Sequence, residues 1–358
     1  MNYEFWKGKR VFVTGHTGFK GSWLSLWLQQ CGAIVSGYSL EPPTDPSLFN
    51  LADVASGMES NIGDIRDNEN LKSIMLKFDP EIIFHMAAQP IVRQSYEDPL
   101  ETYSTNVMGT ANLLQTARES NNLKSILVIT TDKCYENNEW YWGYRETDRL
   151  GGYDPYSNSK ACCELVVSSF RNSFFNQNEY DQHGVAIASV RAGNVIGGGD
   201  WAADRLIPDA MRSFLNGEQL FARSPGAIRP WQHVLEPLRG YMALSQELFE
   251  NGVAKAGAYN FGPDESDAQP VSWIMDRLCG VWKEGASWYT ENIDQPHEAN
   301  YLKLDCSKAK ADLGWIPAWN LDRALEEIVE WYKSYRNNED MRQVTLKQIK
   351  NYQSESSC

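Results

Sequence analysis

Tyr156 and Lys160 have the four-residue spacing that places two side chains on one face of a helix. An ammonium group in that position would lower the pKa of the phenol and would also reach a bound cofactor ribose. This arrangement makes Tyr156 a candidate general base. The same spacing occurs by chance in many solvated helices, so the pair needs support from the rest of the chain.

A second group of polar residues follows a hydrophobic run. Residues 124–133 begin as a predicted buried strand and end in Thr131, Asp132 and Lys133. Open α/β sheets bind their ligands at the carboxyl ends of the strands. Thr131 and Asp132 are therefore candidate catalytic groups, with an ordinary strand hydroxyl and a turn-forming aspartate as the structural alternatives.

The N-terminal segment carries a glycine motif between a predicted strand and a predicted helix. Residues 9–15 indicate a buried strand, and residues 19–30 have the apolar spacing of a helix. Gly15, Gly18 and Gly21 lie in the turn between them. Glycines at this spacing permit a tight turn, let backbone N–H groups approach a pyrophosphate and let the helix pack closely on the strand. The combination predicts dinucleotide binding.

The stretch after the glycine motif favours NAD over NADP. Residues 33–40 predict a second strand, and Glu41, the acidic residue nearest to its end, lies just past the expected boundary. From Gly21 through Ile65 there is no Lys, Arg or His. This stretch therefore offers no cation for the 2'-phosphate of NADP.

Further cofactor-binding candidates follow the next two predicted strands. Asp64, after the third strand, could accept a hydrogen bond from the adenine amino group, with a plain helix cap as the alternative. The fourth strand ends in small residues, Ala87 and Ala88, that would let the backbone pass close to a dinucleotide. His85 is predicted to be a packed strand residue. Asn106, on a helix predicted at about 99–119, could bond a loop at the strand ends.

Composition bounds the class of protein. The 358 residues are 42% hydrophobic, enough for a sizeable core, and the formal net charge is -14. That charge argues against sequence-independent binding to nucleic acid or to anionic membrane. The seven cysteines show no zinc-binding spacing, and no signal peptide or long apolar run is visible, which predicts reduced thiols, no metal site and a cytoplasmic location.

The fold class predicted by these patterns is α/β, with a Rossmann-type doubly wound parallel sheet and a smaller mixed α/β C-terminal substrate-binding lobe. The predicted division is an NAD-binding domain at 1–190, re-entered near 228–250, and a substrate-binding lobe at 191–350. Predicted helices of the second half lie at about 204–215, 236–249, 271–283, 307–313 and 321–335.

The motifs together resemble the extended short-chain dehydrogenase/reductase family, and within it the nucleotide-sugar 4,6-dehydratases. They are Thr14-Gly15-x-x-Gly18-x-x-Gly21, Gly63-Asp64-Ile65-x-Asp67, Ala87-Ala88-Gln89, Thr131-Asp132 and Tyr156-x-x-x-Lys160. Thymidine-nucleotide dehydratases carry Thr-Asp-Glu where this sequence has Thr131-Asp132-Lys133. The resemblance covers nearly the whole chain.

The resemblance implies an internal redox reaction on a nucleotide sugar with NAD as the cofactor. Its implied catalytic residues are Thr131, Asp132, Lys133, Tyr156 and Lys160. Its implied cofactor-binding residues are Gly15, Thr17, Gly18, Phe19, Gly21, Asp64, Ile65, Ala87, Ala88, Gln89, Asn106, Tyr156 and Lys160. The candidates for binding the nucleotide sugar are Asn194, Arg205, Arg229, His297 and Tyr301.

Several alternatives stay open from the residues alone. A nucleotide-sugar 4-epimerase or decarboxylase would share the cofactor site and Tyr156, but it would not need an acid at Asp132. A dinucleotide-sensing regulator would keep the fold and lose the chemistry. Lys133 is either a base at the sugar C5 or an electrostatic group, and Arg191 is either a ligand contact or an ion-pair partner.

The resemblance also implies a homodimer built through the helices near 99–119 and 155–175, and a place in deoxysugar synthesis for lipopolysaccharide O antigen.

Overall fold

The computed structural model describes residues 2–291 and 302–356. The strands are β1 (Arg10–Thr14), β2 (Ile34–Ser39), β3 (Glu59–Ile62), β4 (Ile82–His85), β5 (Ser125–Ile129), β6 (Ala186–Ala192), β7 (Asn194–Ile196), β8 (Leu220–Phe221), β9 (Ile228–His233), β10 (Gly257–Phe261), β11 (Ala268–Pro270) and β12 (Trp288–Tyr289).

The α-helices are α1 (Phe19–Gln30), α2 (Leu48–Leu51), α3 (Asn68–Phe78), α4 (Val92–Glu97), α5 (Pro99–Tyr103), α6 (Gly109–Ala117), α7 (Pro155–Ser173), α8 (Tyr180–His183), α9 (Leu206–Leu215), α10 (Leu235–Asn251), α11 (Val271–Trp282), α12 (Ser307–Leu313), α13 (Leu321–Arg336) and α14 (Met341–Glu355). A π-helical turn, Ser104–Met108, joins α5 to α6. Short 3-10 helices lie at Tyr3–Trp6, Val54–Gly57, Asp132–Cys134, Gln177–Glu179, Gly252–Lys255 and Glu265–Asp267.

A parallel seven-stranded sheet carries the fold, in the order β10-β6-β5-β4-β1-β2-β3. The strand order reverses beside β1, so the carboxyl ends of β1, β4 and β5 border the crevice where such sheets bind ligands. This confirms the predicted α/β class with a doubly wound parallel sheet. The smaller mixed sheet, β11-β9-β7, packs beyond this edge.

Alternating residues of the central strands supply two separate cores. Val11 and Val13 of β1 point into the larger core with Trp23 and Leu238, whereas Phe12 points to the opposite face of the sheet. There it meets the buried side chains of α3, α6 and α7. Because both faces are covered by helices, the central strands β4 and β5 are buried and mostly apolar, as the sequence pattern indicates.

Two elements of the sheet domain were not predicted. β10 adds the last strand to the large sheet beside β6, although it lies far along the chain at 257–261. α14 packs on α1, where Tyr352 meets the ring of Trp27 and Arg342 donates a hydrogen bond to Gln29. α14 is a polar helix with few buried side chains, so its sequence carries only a weak apolar period. The division at 1–190 and 191–350 remains a prediction.

Candidate functional site

The glycine turn after β1 brings backbone close to backbone. Gly15 has φ +74°, and a Cβ atom there would lie 2.7 Å from the amide nitrogen of Ala87. At Gly21 a Cβ atom would lie 2.1 Å from the carbonyl oxygen of Gly15. Among the described residues, no side chain caps the N-terminus of α1 at Gly18. The first amide N–H groups of this helix are therefore available to phosphate oxygens.

A side-chain network ties the ends of β1 and β4 together beneath this turn. The Thr14 hydroxyl accepts hydrogen bonds from the amides of Met86 and Ala87, both at 3.1 Å, and lies 2.8 Å from Nδ1 of His85. The other ring nitrogen of His85 lies 3.0 Å from the Thr110 hydroxyl. His85 is buried, which confirms that it is a packed strand residue.

Asn106 lies in the π-helical turn and contacts the segment that follows β4. Its side chain accepts a hydrogen bond from the Gln89 amide at 2.8 Å and donates to the Gln89 carbonyl at 3.1 Å. It also donates to Ser159 on α7 at 2.8 Å. Asn106 thus fixes the strand-end loop containing Ala87 and Ala88 against the helix that carries Tyr156.

The other predicted cofactor contacts lie around the same crevice. Thr17 bridges the glycine turn to the end of β2, with its hydroxyl 2.8 Å from both the Ser39 hydroxyl and the Leu40 carbonyl. The Asp64 carboxylate pairs with Arg66, and the cap of α3 is Asp67, so the alternative interpretation of Asp64 as a helix cap is wrong. Ile65 is buried, and Phe19 opens α1.

The predicted catalytic residues converge between β5 and α7. The Thr131 hydroxyl donates to Oδ1 of Asp132 at 3.0 Å, and Thr131 acts to lower the pKa of the Tyr156 phenol. Oδ2 of Asp132 is buried without a partner among the described residues. Lys160, one turn after Tyr156, donates to the carbonyl of Ile129 at 3.2 Å. Tyr156, Thr131 and Asp132 thus belong to one cluster, in which Thr131 and Asp132 are joined by a hydrogen bond.

Burial controls the protonation of this cluster. It raises the pKa of the Tyr156 phenol to about 12, against the lowering effects of Thr131 and Arg205. Burial therefore outweighs the groups that lower the Tyr156 pKa in the ligand-free site, and a lowering effect of Lys160 stays a prediction. Burial also raises the pKa of Asp132, although Lys133 acts against it. A raised pKa keeps a carboxyl protonated to a higher pH, as a proton donor requires.

Lys20 is a residue of the site that the sequence analysis missed. It occupies the second position of α1, and its charge interacts with those of Lys160, Arg205 and Asp132. Burial, together with the charges of Lys160 and Arg205, lowers the pKa of Lys20 to about 8, although Asp132 acts against them. A lysine placed beside the last glycine of the dinucleotide turn was the signal in the sequence that could have revealed it.

Comparison with known proteins identifies the family to which this chain belongs. Residues 12–328 match the family model described as GDP-mannose 4,6 dehydratase. The chain belongs to this family. The resemblance to nucleotide-sugar 4,6-dehydratases, inferred from the motifs, is confirmed. Over 354 residues the chain is 59% identical to a CDP-glucose 4,6-dehydratase of Salmonella typhimurium, covering 99% of each protein.

Solved structures share the fold at lower identity. A dTDP-glucose 4,6-dehydratase of Bacillus anthracis in complex with NAD aligns with a TM-score of 0.74 at 20% identity, covering 93% of this chain and 99% of that one. A UDP-glucose 4-epimerase of Thermotoga maritima with UDP-glucose aligns with a TM-score of 0.75 at 21% identity, covering 91% and 99%. Dehydratases and epimerases thus share this architecture, and the side chains of the site must distinguish them.

The residues predicted to bind the substrate lie in different surroundings from one another. Arg205 pairs with Asp200 at 3.1 Å and faces the catalytic cluster. Arg229 is buried and donates to the carbonyl of Ile228 at 3.0 Å, and its charge acts on Asp132. Asn194 begins β7. His297 and Tyr301 lie outside the described residues. The roles of all five stay predictions.

Arg191 forms a buried ion pair with Glu164, a residue that lies one helical turn beyond Lys160. The two side chains are 2.8 Å apart, with exposures of only 4% and 3%. Glu164 also accepts hydrogen bonds from Thr130 and Ser189, at 2.5 and 2.6 Å. Burial acts to raise the Glu164 pKa, but Arg191 holds it below its usual value. The ion-pair alternative for Arg191 is the one that the structure supports.

Replacing Glu164 by alanine is expected to lower the free energy of unfolding by about 3–5 kcal/mol, because Arg191 would remain buried without its counter-charge. Denaturant titration measures this change. Glu330→Ala is the matched control. It removes an ion pair to Lys347 whose side chains are 63% and 70% exposed, and it should cost less than about 1 kcal/mol. Equal losses in the two variants would contradict the prediction.

Proposed function

We propose that this chain is a CDP-D-glucose 4,6-dehydratase, converting CDP-D-glucose to CDP-4-dehydro-6-deoxy-D-glucose and water. The observation that carries the dehydratase assignment is the Asp132 carboxyl, buried beside Tyr156 with one oxygen unpartnered among the described residues. A 4-epimerase needs no acid at this position. The relative from Salmonella typhimurium, 59% identical over 99% of the chain, supports CDP-glucose as the substrate.

NAD is the proposed cofactor, and the residues present fit it. The glycine turn offers uncapped N–H groups at the start of α1, and the close approach at Gly15 leaves no room for a side chain. Gly15, Gly18 and Phe19 would hold the pyrophosphate, while Lys160 and Tyr156 would reach the ribose. Bound NAD would accept hydrogen from C4 as hydride, return it to C6 and add positive charge that favours the Tyr156 phenolate.

The chain's own residues would move three protons. Tyr156 takes the O4 proton as C4 is oxidised, and Thr131 hydrogen-bonds O4. The resulting 4-ketone makes the C5 proton acidic, and Lys133 is the proposed base that removes this proton and later returns it to C5. Asp132 protonates the C6 hydroxyl, which leaves as water. The proton that Tyr156 gained can return to Asp132 through the Thr131 hydroxyl, because this hydroxyl donates to Asp132 and Thr131 interacts with the Tyr156 phenol.

Turnover across CDP-, dTDP-, GDP- and UDP-glucose, followed by NMR of the product, tests the proposal. The expected product is the 4-keto-6-deoxy sugar, formed preferentially from CDP-glucose. A C4 epimer that retains its C6 hydroxyl would identify an epimerase. Absence of turnover with every substrate, together with retained NAD binding, would favour a dinucleotide-sensing regulator.

NAD is expected to stay bound through many turnovers, because the reaction returns the hydride to the same sugar. Purified protein should therefore contain NAD and need little added cofactor. Mass spectrometry of the denatured protein and turnover without added NAD measure this. Stoichiometric release of NADH would contradict internal redox, and bound NADP would contradict the argument from the missing cations between Gly21 and Ile65.

A homodimer through the helices near 99–119 and 155–175 is the proposed assembly. Large apolar side chains on these helices are exposed, among them Leu100 at 79% and Leu165 at 60%. A two-fold contact would cover the same surface on both subunits. Light scattering at micromolar concentration should give the mass of a dimer, and Leu165→Asp should weaken it. A parent protein that remains monomeric would refute the proposal.

The cellular setting follows from the proposed reaction. Among the described residues, none of the helices is both long and apolar enough to cross a membrane. We propose that the enzyme acts in the cytoplasm, on a nucleotide sugar that later steps turn into a deoxysugar of lipopolysaccharide O antigen. Fractionation of cells with antibody detection tests the location.

A further inference from the structure

The triplet Thr131-Asp132-Lys133 lies in a single 3-10 turn whose own hydrogen bonds are long. The amides of Lys133 and Cys134 donate to the hydroxyl and the carbonyl of Thr131, both at 3.4 Å. The Tyr135 amide donates to the Asp132 carbonyl at 3.5 Å. The hydrogen bonds of 3-10 turns have poor geometry, so a turn this short does not fix its side chains by itself. The placement of Asp132 and Lys133 therefore depends on what holds the two ends of the turn.

Thr130 holds the end before the triplet. Its hydroxyl donates to Oε1 of Glu164 at 2.5 Å and also lies 3.1 Å from the carbonyl of Val190. Thr130 and Glu164 are both buried. Glu164 lies on α7, the helix that carries Tyr156. The bond from Thr130 thus joins the residue before Thr131 directly to that helix.

Tyr135 holds the end after the triplet. Its phenol oxygen accepts a hydrogen bond from Nη1 of Arg191 at 2.8 Å and donates to Oδ1 of Asn260 at 2.8 Å. The guanidinium of Arg191 also lies 4.9 Å from the centre of the Tyr135 ring. Asn260 in turn donates to the carbonyls of Tyr144 and Asp305, at 2.8 and 3.1 Å. Tyr135 is therefore fixed by two buried partners.

The two ends of the turn are held by the two members of one ion pair. Nη2 of Arg191 lies 2.8 Å from Oε2 of Glu164, while Oε1 of Glu164 accepts the bond from Thr130. We propose that Glu164 and Arg191 are positioning residues, which hold the triplet at both ends and thereby place Asp132 and Lys133 beside the sugar. This proposal rests on the dehydratase function proposed above.

The ion pair should act on water loss more than on oxidation. Tyr156 and Lys160 lie on α7 itself, so they keep their places when one end of the triplet is released. Asp132 and Lys133, which serve the elimination, would shift. A displacement of about 1 Å in a reacting group can lower a rate by about 100-fold. Release of either end should therefore slow dehydration and leave oxidation at C4 nearly intact.

Thr130→Val and Tyr135→Phe test this, because each removes one hydroxyl and keeps the ion pair. We expect each to lower the rate of CDP-glucose dehydration by about 10-fold or more. Exchange of solvent deuterium into C5 of CDP-4-dehydro-6-deoxy-D-glucose, followed by NMR with the NAD-loaded enzyme, should fall by a similar factor. Single-turnover oxidation at C4 should stay within about three-fold of the parent rate, so reduced cofactor should accumulate at 340 nm. The KM for CDP-glucose should not change.

Ser189→Ala is the matched control for Thr130→Val. Ser189 lies on β6 and donates to Oε2 of Glu164 at 2.6 Å, so the variant removes a hydroxyl from the same carboxylate without releasing the triplet. It should dehydrate at the parent rate, even where its thermal stability falls as far as that of Thr130→Val. Thr130→Ser keeps the hydroxyl and should recover most of the dehydration rate.

Tyr259→Phe is the matched control for Tyr135→Phe. Tyr259 is a buried tyrosine of β10 whose hydroxyl donates to Asp312 at 2.9 Å, so the variant also removes a tyrosine hydroxyl bond. It should oxidise and dehydrate the sugar like the parent. Thermal unfolding and NAD binding by calorimetry check that each variant is folded.

Parent-like dehydration and C5 exchange in both Thr130→Val and Tyr135→Phe would overturn the proposal. Equal slowing in Ser189→Ala would also overturn it, because the ion pair would then act through stability alone. Equal loss of oxidation and dehydration, together with weakened NAD binding, would make the pair a support of the cofactor site instead. A parent protein that dehydrates no nucleotide sugar would refute the proposed function itself.

Discussion

Replacing Tyr156 by phenylalanine is expected to lower the rate of C4 oxidation by about two to four orders of magnitude. The change removes the hydroxyl that takes the O4 proton and leaves the ring, so the shape of the pocket is kept. Binding of CDP-glucose should persist. Single-turnover absorbance at 340 nm measures the oxidation, and calorimetry measures the binding.

Tyr289→Phe is the matched control for this prediction, since it removes the hydroxyl of a tyrosine that is 42% exposed on β12. It should oxidise the sugar at the parent rate. If Tyr156→Phe also oxidised at that rate, another group would have to take the O4 proton. Thr131 would be the first to test, because it interacts with the phenol and acts to lower its pKa.

Replacing Asp132 by asparagine should separate oxidation from water loss. Asparagine keeps the size of the side chain but has no acidic proton for O6, so dehydration is expected to slow by about two to four orders of magnitude. Oxidation at C4 should continue, and reduced cofactor should accumulate at 340 nm. NMR of the sugar at the same time points measures the loss of the C6 hydroxyl.

Asp181→Asn, an exposed substitution on α8, serves as the control for the loss of a carboxylate. It should leave both steps at the parent rate. Equal loss of oxidation and dehydration in Asp132→Asn would remove Asp132 from the acid role. The buried carboxyl would then act only as the hydrogen-bond acceptor of the Thr131 hydroxyl.

Local pattern made much of the site predictable. The strand, glycine turn and helix of residues 9–30 form as expected, because each depends on neighbours in sequence. The four-residue spacing of Tyr156 and Lys160 predicts that both lie on one face of a helix. Both residues lie on α7, which runs from Pro155 to Ser173. Thr131 and Asp132 follow β5 because an apolar run ends there.

The pKa values of the site and the contacts between distant elements could not be predicted from local sequence patterns. The sequence indicates that Lys160 stands near Tyr156, but burial dominates the phenol and raises its pKa to about 12. Burial depends on every element that packs around the site, so no local spacing encodes it. The buried pair of Glu164 and Arg191 likewise joins α7 to β6, two elements whose contact only the folded sheet creates.

The sequence by itself determined the doubly wound class, the dinucleotide turn and the acid and base candidates, because short-range periodicity and strand-end position specify them. The tertiary structure alone decided that β10 completes the sheet, that α14 covers α1, and that the charges of Lys20 and Asp132 act on each other. Lys20 and Asp132 are far apart in the chain. They come together because β1 and β5 flank β4 in a parallel sheet whose carboxyl ends meet at one edge.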